Sequence, residues 1–257
     1  MTTPKAMAGS NRRQVTYPPL DVLKPVDRRL WIVDSGPVRA LGMPMPTRMT
    51  VIQLANGNVL LHSPTRFDPE LAAAIAGIGP IRHILAPSFA HWMFVMDWRR
   101  RFPDAKVWGA PGLEARRAAR HGGLVVDAVM DEGQHPWDDD IALVTLRGGL
   151  GYSEVALHHA PTRTLVLTDL VVNLEPGKLP LAMRPLMWLA GTTAPHGRAP
   201  AYLRWLIGLR RTRAREAALR MLRFEPTRVI FSHGTWFAGD ATPALRRSLR
   251  WLVGARG

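Results

Sequence analysis

The sequence predicts an α/β protein whose core is a pair of mixed or antiparallel sheets with helices outside. Two observations lead there. Short β-rich runs recur along the chain, the clearest pair being Met49–Leu54 and Val59–His62 around Asn56-Gly57, a strong hairpin signal. Amphipathic helical patterns follow such runs in two halves, each opening with strands and closing with helices, rather than as a regular βαβ repeat.

Taken in order, residues 1–28 read as a flexible N-terminal arm, with Pro18-Pro19 and few periodic apolar positions, and 29–257 as a single domain. Order is expected to begin at Leu30-Trp31-Ile32-Val33. Asp68-Pro69-Glu70 supplies an N-cap, a proline at the first helical position and an acid at the dipole's positive end, and Leu71, Ile75 and Ile78 share a face. Strand Ile81–Ala86, helix Trp92–Phe102, strand Ala105–Gly109 and helix Leu113–His121 follow. Strands are then expected at Ile141–Leu146, Glu154–His159 and Thr164–Leu170, divided by Gly148-Gly149 and Ala160-Pro161-Thr162-Arg163. Residues 173–200 hold five prolines and read as irregular. A basic helix over 201–224, a strand at Arg228–Ser232 and a helix after Pro243 complete the chain.

Composition narrows the chemistry. With 257 residues and 47% hydrophobic content the chain can bury a large core, which excludes intrinsic disorder. The absence of cysteine excludes disulfides, thiolate-held metals and thiol catalysis, so any metal must rest on His, Asp and Glu. The N-terminal MTTPKAMAGSNRRQ lacks the apolar run of a signal peptide, and a soluble cytoplasmic protein is expected. The net charge of +14 is compatible with anionic partners, but no nucleic-acid motif accompanies it.

Candidate site residues sit where strands open into loops. His159 ends a strand, Asp169 ends the next, His233 follows Val229–Ser232, and His91 lies just beyond Ile81–Ala86. Three imidazoles and a carboxylate suit Zn²⁺, Fe²⁺ or Mn²⁺. His158 competes with His159, because adjacent strand residues face opposite ways. His62 is expected to support a ligand from behind or to be a core histidine, and Trp92 and Trp236 to wall a pocket. Asp138-Asp139-Asp140 reads as a solvated charge run, and His83, His121, His135 and His196 as structural or exposed.

Several phrases stand in a telling order. They are Arg48–Gly57, Leu61-His-Ser-Pro64, Ala86-Pro-Ser-Phe-Ala-His91, Arg101-Phe-Pro-Asp-Ala105, His159–Leu170 and Arg228-Val-Ile-Phe-Ser-His-Gly234. In this the chain resembles the metallo-β-lactamase superfamily, and within it an uncharacterised bacterial and plant group described only as a domain of unknown function. The resemblance runs from about Leu30 to the C-terminus. It implies an αββα sandwich of two mixed sheets flanked by helices, with a metal-assisted hydrolytic site at one edge. Residue by residue it maps His159 onto the histidine after the middle strands, Asp169 onto the metal-bridging aspartate and His233 onto the final histidine.

One departure shapes the expectation. Superfamily enzymes carry His-x-His-x-Asp-His after the strand corresponding to Ile81–Ala86, whereas this chain reads Ser88-Phe-Ala-His-Trp-Met93. The expected activity is therefore that of a one-metal hydrolase acting on a small ester, amide, lactone or phosphoester. His91, His159 and His233 would hold the ion, and Asp169 would serve as ligand or base. The alternative is a catalytically inactive protein of this fold that binds a ligand or partner. Contact with an anionic membrane through residues 179–224 is a further expectation, from the basic helix and Met187-Trp188-Leu189.

Overall fold

The hairpin at Asn56-Gly57 forms as its sequence requires. Gly57, at φ +83°, donates to the Leu54 carbonyl, and Leu54 N–H donates to Asn58. In the computed structural model, which describes residues 15–254 apart from 41, 132 and 240, this hairpin lies in the middle of a seven-stranded sheet. Its strands pair in chain order: β1 (Lys24–Asp27), β2 (Leu30–Ala40), β3 (Met43–Gln53), β4 (Val59–His62), β5 (Ile81–Ala86), β6 (Lys106–Gly109) and β7 (Ala128–Val129). The first four are antiparallel neighbours. From β4 onward the pairing is parallel, because α1 (Pro69–Ala76), α2 (Val95–Arg101) and α3 (Arg117–His121) serve as crossovers. Asp68 caps α1 by accepting from Leu71 N–H at 2.9 Å.

The second sheet has five strands: β8 (Ile141–Arg147), β9 (Ser153–His159), β10 (Thr164–Val166), β11 (Arg228–Ile230) and β12 (Phe237–Ala238). Only β10 and β11 are parallel, joined by the long excursion through α4 (Arg184–Ala190), α5 (Ala201–Gly208) and α6 (Arg211–Arg223). Helix α7 (Ala241–Val253) closes the fold.

Period-two alternation assigns each strand two faces and so builds four layers. In β9, Val155 and Leu157 meet Leu30, Ile52, Leu60 and Leu85 of the other sheet, while Ala156 faces α5, α6 and α7. In β4, Leu60 faces the second sheet and Val59 and Leu61 face the helices α1 and α2. The result is the expected αββα sandwich.

Of the N-terminal arm expected over 1–28, residues 1–14 lie outside the described residues. Val15 is buried against Val172, Leu174 and Met187, and β1 pairs with β2. The basic helix over 201–224 is two helices, because the Leu206 carbonyl accepts from Gly149 N–H at 2.7 Å and Arg210 leaves helical geometry at φ −129°, ψ 42°. Asp140 is not solvated: it is buried, accepts from Ala55 N–H at 2.5 Å and from Arg29 at 3.1 Å.

The two sheets are locked in register by Arg48 of β3. Its buried guanidinium donates to the carbonyls of Phe231 (3.0 Å) and Gly234 (2.7 Å), beyond β11, and lies 2.6 Å from Asp34 of β2. Lys24 donates to the other Asp34 oxygen at 2.8 Å. Removing one partner from such a buried set exposes the others to an unmet desolvation cost. Arg48→Met is expected to lower unfolding stability by about 3 kcal/mol in urea titration; a loss under about 1 kcal/mol would show that this tie is dispensable.

Candidate metal centre

Three strand ends converge at one edge of the sandwich. β5 runs through Pro87 and Ser88 into the turn bearing His91, β10 runs through Leu167 and Thr168 to Asp169, and β11 runs through Ser232 to His233. The first of these is pulled onto the second sheet by Val155 N–H donating to the Pro87 carbonyl at 2.8 Å and by a bridge between Ser88 and Glu154. His233 is set by Gly234, whose φ of +95° and close crossing of Asn173 demand glycine: a Cβ there would lie 2.1 Å from the Asn173 carbonyl oxygen. Asn173 N–H in turn donates to the His233 carbonyl at 3.1 Å, and its side-chain amide donates to the Thr235 carbonyl at 2.7 Å.

Asp169 stands between the two imidazoles. One carboxylate oxygen is 3.2 Å from His91 Nε2 and the other 3.3 Å from His233 Nε2. The far nitrogens are both engaged. His233 Nδ1 donates to the Pro46 carbonyl at 2.6 Å, and His91 Nδ1 lies 2.7 Å from Ser63 Oγ, with Ser63 held at φ +53°. A carbonyl only accepts, so the Pro46 contact fixes the proton of His233 on Nδ1. Its Nε2 therefore offers a lone pair towards a cation or takes a second proton to face the carboxylate. This is the arrangement in which metal-binding histidines are normally oriented. One donor atom from each of His91, Asp169 and His233 lies within 4.8 Å of the others, which fits a single divalent ion.

The surroundings set the charges. Burial alone would raise the Asp169 carboxyl, but His91 and the contacts from both imidazoles hold it well below the usual carboxylate range. Burial opposes protonation of His91, and the Asp169 charge outweighs it, leaving that imidazole raised. A second buried carboxylate, Glu154 at the start of β9, lies beneath. Its oxygens accept from the N–H groups of Thr168 (2.8 Å), Asp169 (3.2 Å) and Leu170 (3.3 Å) and from the Tyr152 hydroxyl (2.9 Å). Burial and the Asp169 charge push Glu154 up, and these donors restrain the rise. Tyr202 of α5 stands within electrostatic reach of both carboxylates; burial and those charges push its hydroxyl up to about 12, so it remains a donor.

Not every expected residue is here. His91, Asp169 and His233 are brought together; His159 is not. In the antiparallel register His159 pairs with Thr164, the first residue of β10, while Asp169 lies past that strand's other end, five residues and roughly 16 Å further on. His159 is buried between the sheets, with Nδ1 2.8 Å from Thr162 Oγ1, and burial pulls it down to about 4. His158, its competitor, stacks on Phe224 at 4.2 Å. His62 ends β4, fully buried, and desolvation followed by the nearby His91 lowers it to about 3. Trp92 packs on Gly122 and donates to the Phe89 carbonyl at 3.0 Å, and Trp236 packs between two core clusters.

Sequence reasoning overlooked Glu154 and Ser63. A lone acid inside the buried run Ser153–His159 was the available signal for the first. For the second it was a serine directly after the His62 strand end.

The comparisons agree with this architecture. Solved structures similar to the chain include a metallo-β-lactamase from Pontibacter korlensis, at 14% identity and TM-score 0.59, covering 90% of this chain and 98% of that one. Another, from Hirschia baltica, matches at 15% identity and TM-score 0.58, covering 90% and 96%. The FIM-1 metallo-β-lactamase of Pseudomonas aeruginosa, in a mono-zinc form, matches at 14% identity and TM-score 0.55, covering 87% and 92%. No curated protein matches. At these identities the likeness establishes the metallo-β-lactamase fold. The family described as Domain of unknown function (DUF4336) matches residues 29–190, more than half of the chain, and the protein belongs to that family.

Proposed function

We propose that the protein is a metal-dependent hydrolase with one divalent ion held by His91, Asp169 and His233, acting on a small ester, amide, lactone or phosphoester. The observation that carries this reading is the orientation of the imidazoles: both Nδ1 atoms are engaged by the scaffold and both Nε2 atoms face one carboxylate. When bound there, such an ion would polarise the scissile group and lower the pKa of water at neutral pH. The chain's own residues have distinct tasks. His91 and His233 bind, Asp169 binds or accepts a proton, and Glu154 holds the backbone of the Asp169 loop. The short Ser88–Met93 turn, with one histidine and no acid, favours one ion over two.

Elemental analysis of untagged protein purified without chelators is expected to find close to one equivalent of zinc, iron or manganese. A His91→Ala, His233→Ala variant should lose it while keeping its circular dichroism, and His159→Ala should keep it. No metal even after reconstitution would overturn the hydrolase reading and favour a ligand-binding protein that retains the pocket edge.

The pH response follows from the two shifted groups. In the metal-free protein the raised His91 contributes stability fully below its unfolded pKa of about 6.5, and this fades as pH rises through the folded value. The depressed Asp169 contributes above its unfolded pKa of about 3.9 and loses that only as pH falls through its folded value. Metal-free protein should therefore gain most from this pair between about pH 4 and 6.5. An ion must displace the His91 proton, so the rise in Tm on adding zinc or manganese should be larger near pH 8 than near pH 5.5. Equal or reversed shifts in a thermal-melt series would contradict the assignment.

Glu154→Gln replaces an acceptor oxygen with an NH₂ group that faces backbone N–H donors. A stability loss of about 1–3 kcal/mol is expected, together with weaker metal retention on dialysis. Unchanged retention would show that Glu154 does not position the Asp169 loop.

A further inference from the structure

Helix α5 carries two apolar stripes where a surface helix has one. Leu203 and Ile207 are buried against the second sheet. On another face Tyr202, Trp205 and Leu209, at i, i+3 and i+7, are 48%, 61% and 51% exposed. Arg204 donates to the carbonyls of both Ala190 and Ala199, which fastens the end of α4 to the start of α5. On α4, Leu186, Trp188 and Leu189 are exposed as well, Trp188 at 70%. An apolar surface of this kind, carried on two short helices, normally has something to cover it.

We propose that this face attaches the protein to an anionic lipid bilayer, with α4 and α5 lying in the interfacial plane. Charge selects that occupant. Between Glu175 and Glu216 the chain contains no acidic residue and eight basic ones, and Arg210, Arg211, Arg213 and Arg215 are exposed immediately after the stripe. Indole and leucine side chains beside arginines match the boundary between headgroups and acyl chains. A second copy is poorly suited, since an isologous contact would set this basic segment against itself. So are residues 1–14, which carry Lys5, Arg12 and Arg13 and no acid. No described helix is long and apolar enough to cross a membrane, so attachment would be to one leaflet.

Co-sedimentation of the full chain with vesicles tests this without reference to metal or turnover. Binding is expected to vesicles of equal parts phosphatidylglycerol and phosphatidylcholine at low salt, and to be roughly tenfold weaker to phosphatidylcholine alone. A Trp188→Ser, Leu189→Ser, Trp205→Ser variant keeps every arginine and removes only exposed apolar groups. It should melt at the parent temperature and bind anionic vesicles roughly tenfold more weakly. No binding by the parent would overturn the proposal. So would undiminished binding by the variant, which would assign the effect to diffuse charge. A parent dimer that the variant converts to monomer would overturn it in favour of a second copy.

Discussion

A guanidinium sealed between two sheets is the constraint on which the site depends. Arg48 belongs to the first sheet, yet it holds the carbonyls that flank His233 on the second. Such a charge is stable in the interior only because Asp34, itself matched by Lys24, lies against it. The same strand supplies the Pro46 carbonyl that orients the His233 ring. β3 thus both positions the loop and selects the tautomer. Together with the Val155–Pro87 contact, this link gives the imidazoles of His91 and His233, which arrive from different sheets, a common frame.

Around that frame two carboxylates are buried close together under different compensation. Asp169 is matched by imidazoles and Glu154 by peptide N–H groups and a hydroxyl. Each device serves its position. Dipoles from a rigid backbone hold a loop without competing for protons, whereas the His91 imidazole can release its proton to an incoming cation. The lower carboxylate is therefore structural glue for the upper one.

Much of this was legible in the sequence because local signals dominate there. The Asn56-Gly57 turn, the Asp68 cap and the spacing of Leu71 and Ile75 each determine structure within a few residues. His91, Asp169 and His233 were legible as residues where strands open into loops. His159 misled because it also ends a strand, and only the antiparallel register of β9 with β10 reveals that this is the opposite end. Glu154, at the correct end, is hidden in a run that otherwise reads as apolar core. The burial of Val15 and Asp140 likewise depends on partners more than eighty residues away, Val172 and Ala55 among them. No short window contains that information.

The crossing of Asn173 with Gly234 has a consequence for how this loop can change over generations. Gly197 meets the same strand of chain, where a Cβ would fall 2.1 Å from the Val172 carbonyl oxygen, and its N–H donates to the Asn173 side chain at 3.0 Å. Any side chain at either glycine collides with backbone, and an apolar residue at Asn173 leaves the Gly197 N–H and the Thr235 carbonyl without their partner. Single substitutions of these kinds are thus closed off from both directions. The loop bearing His233 sits in a valley with steep walls, and drift in the surrounding surface helices can proceed while this crossing stays as it is.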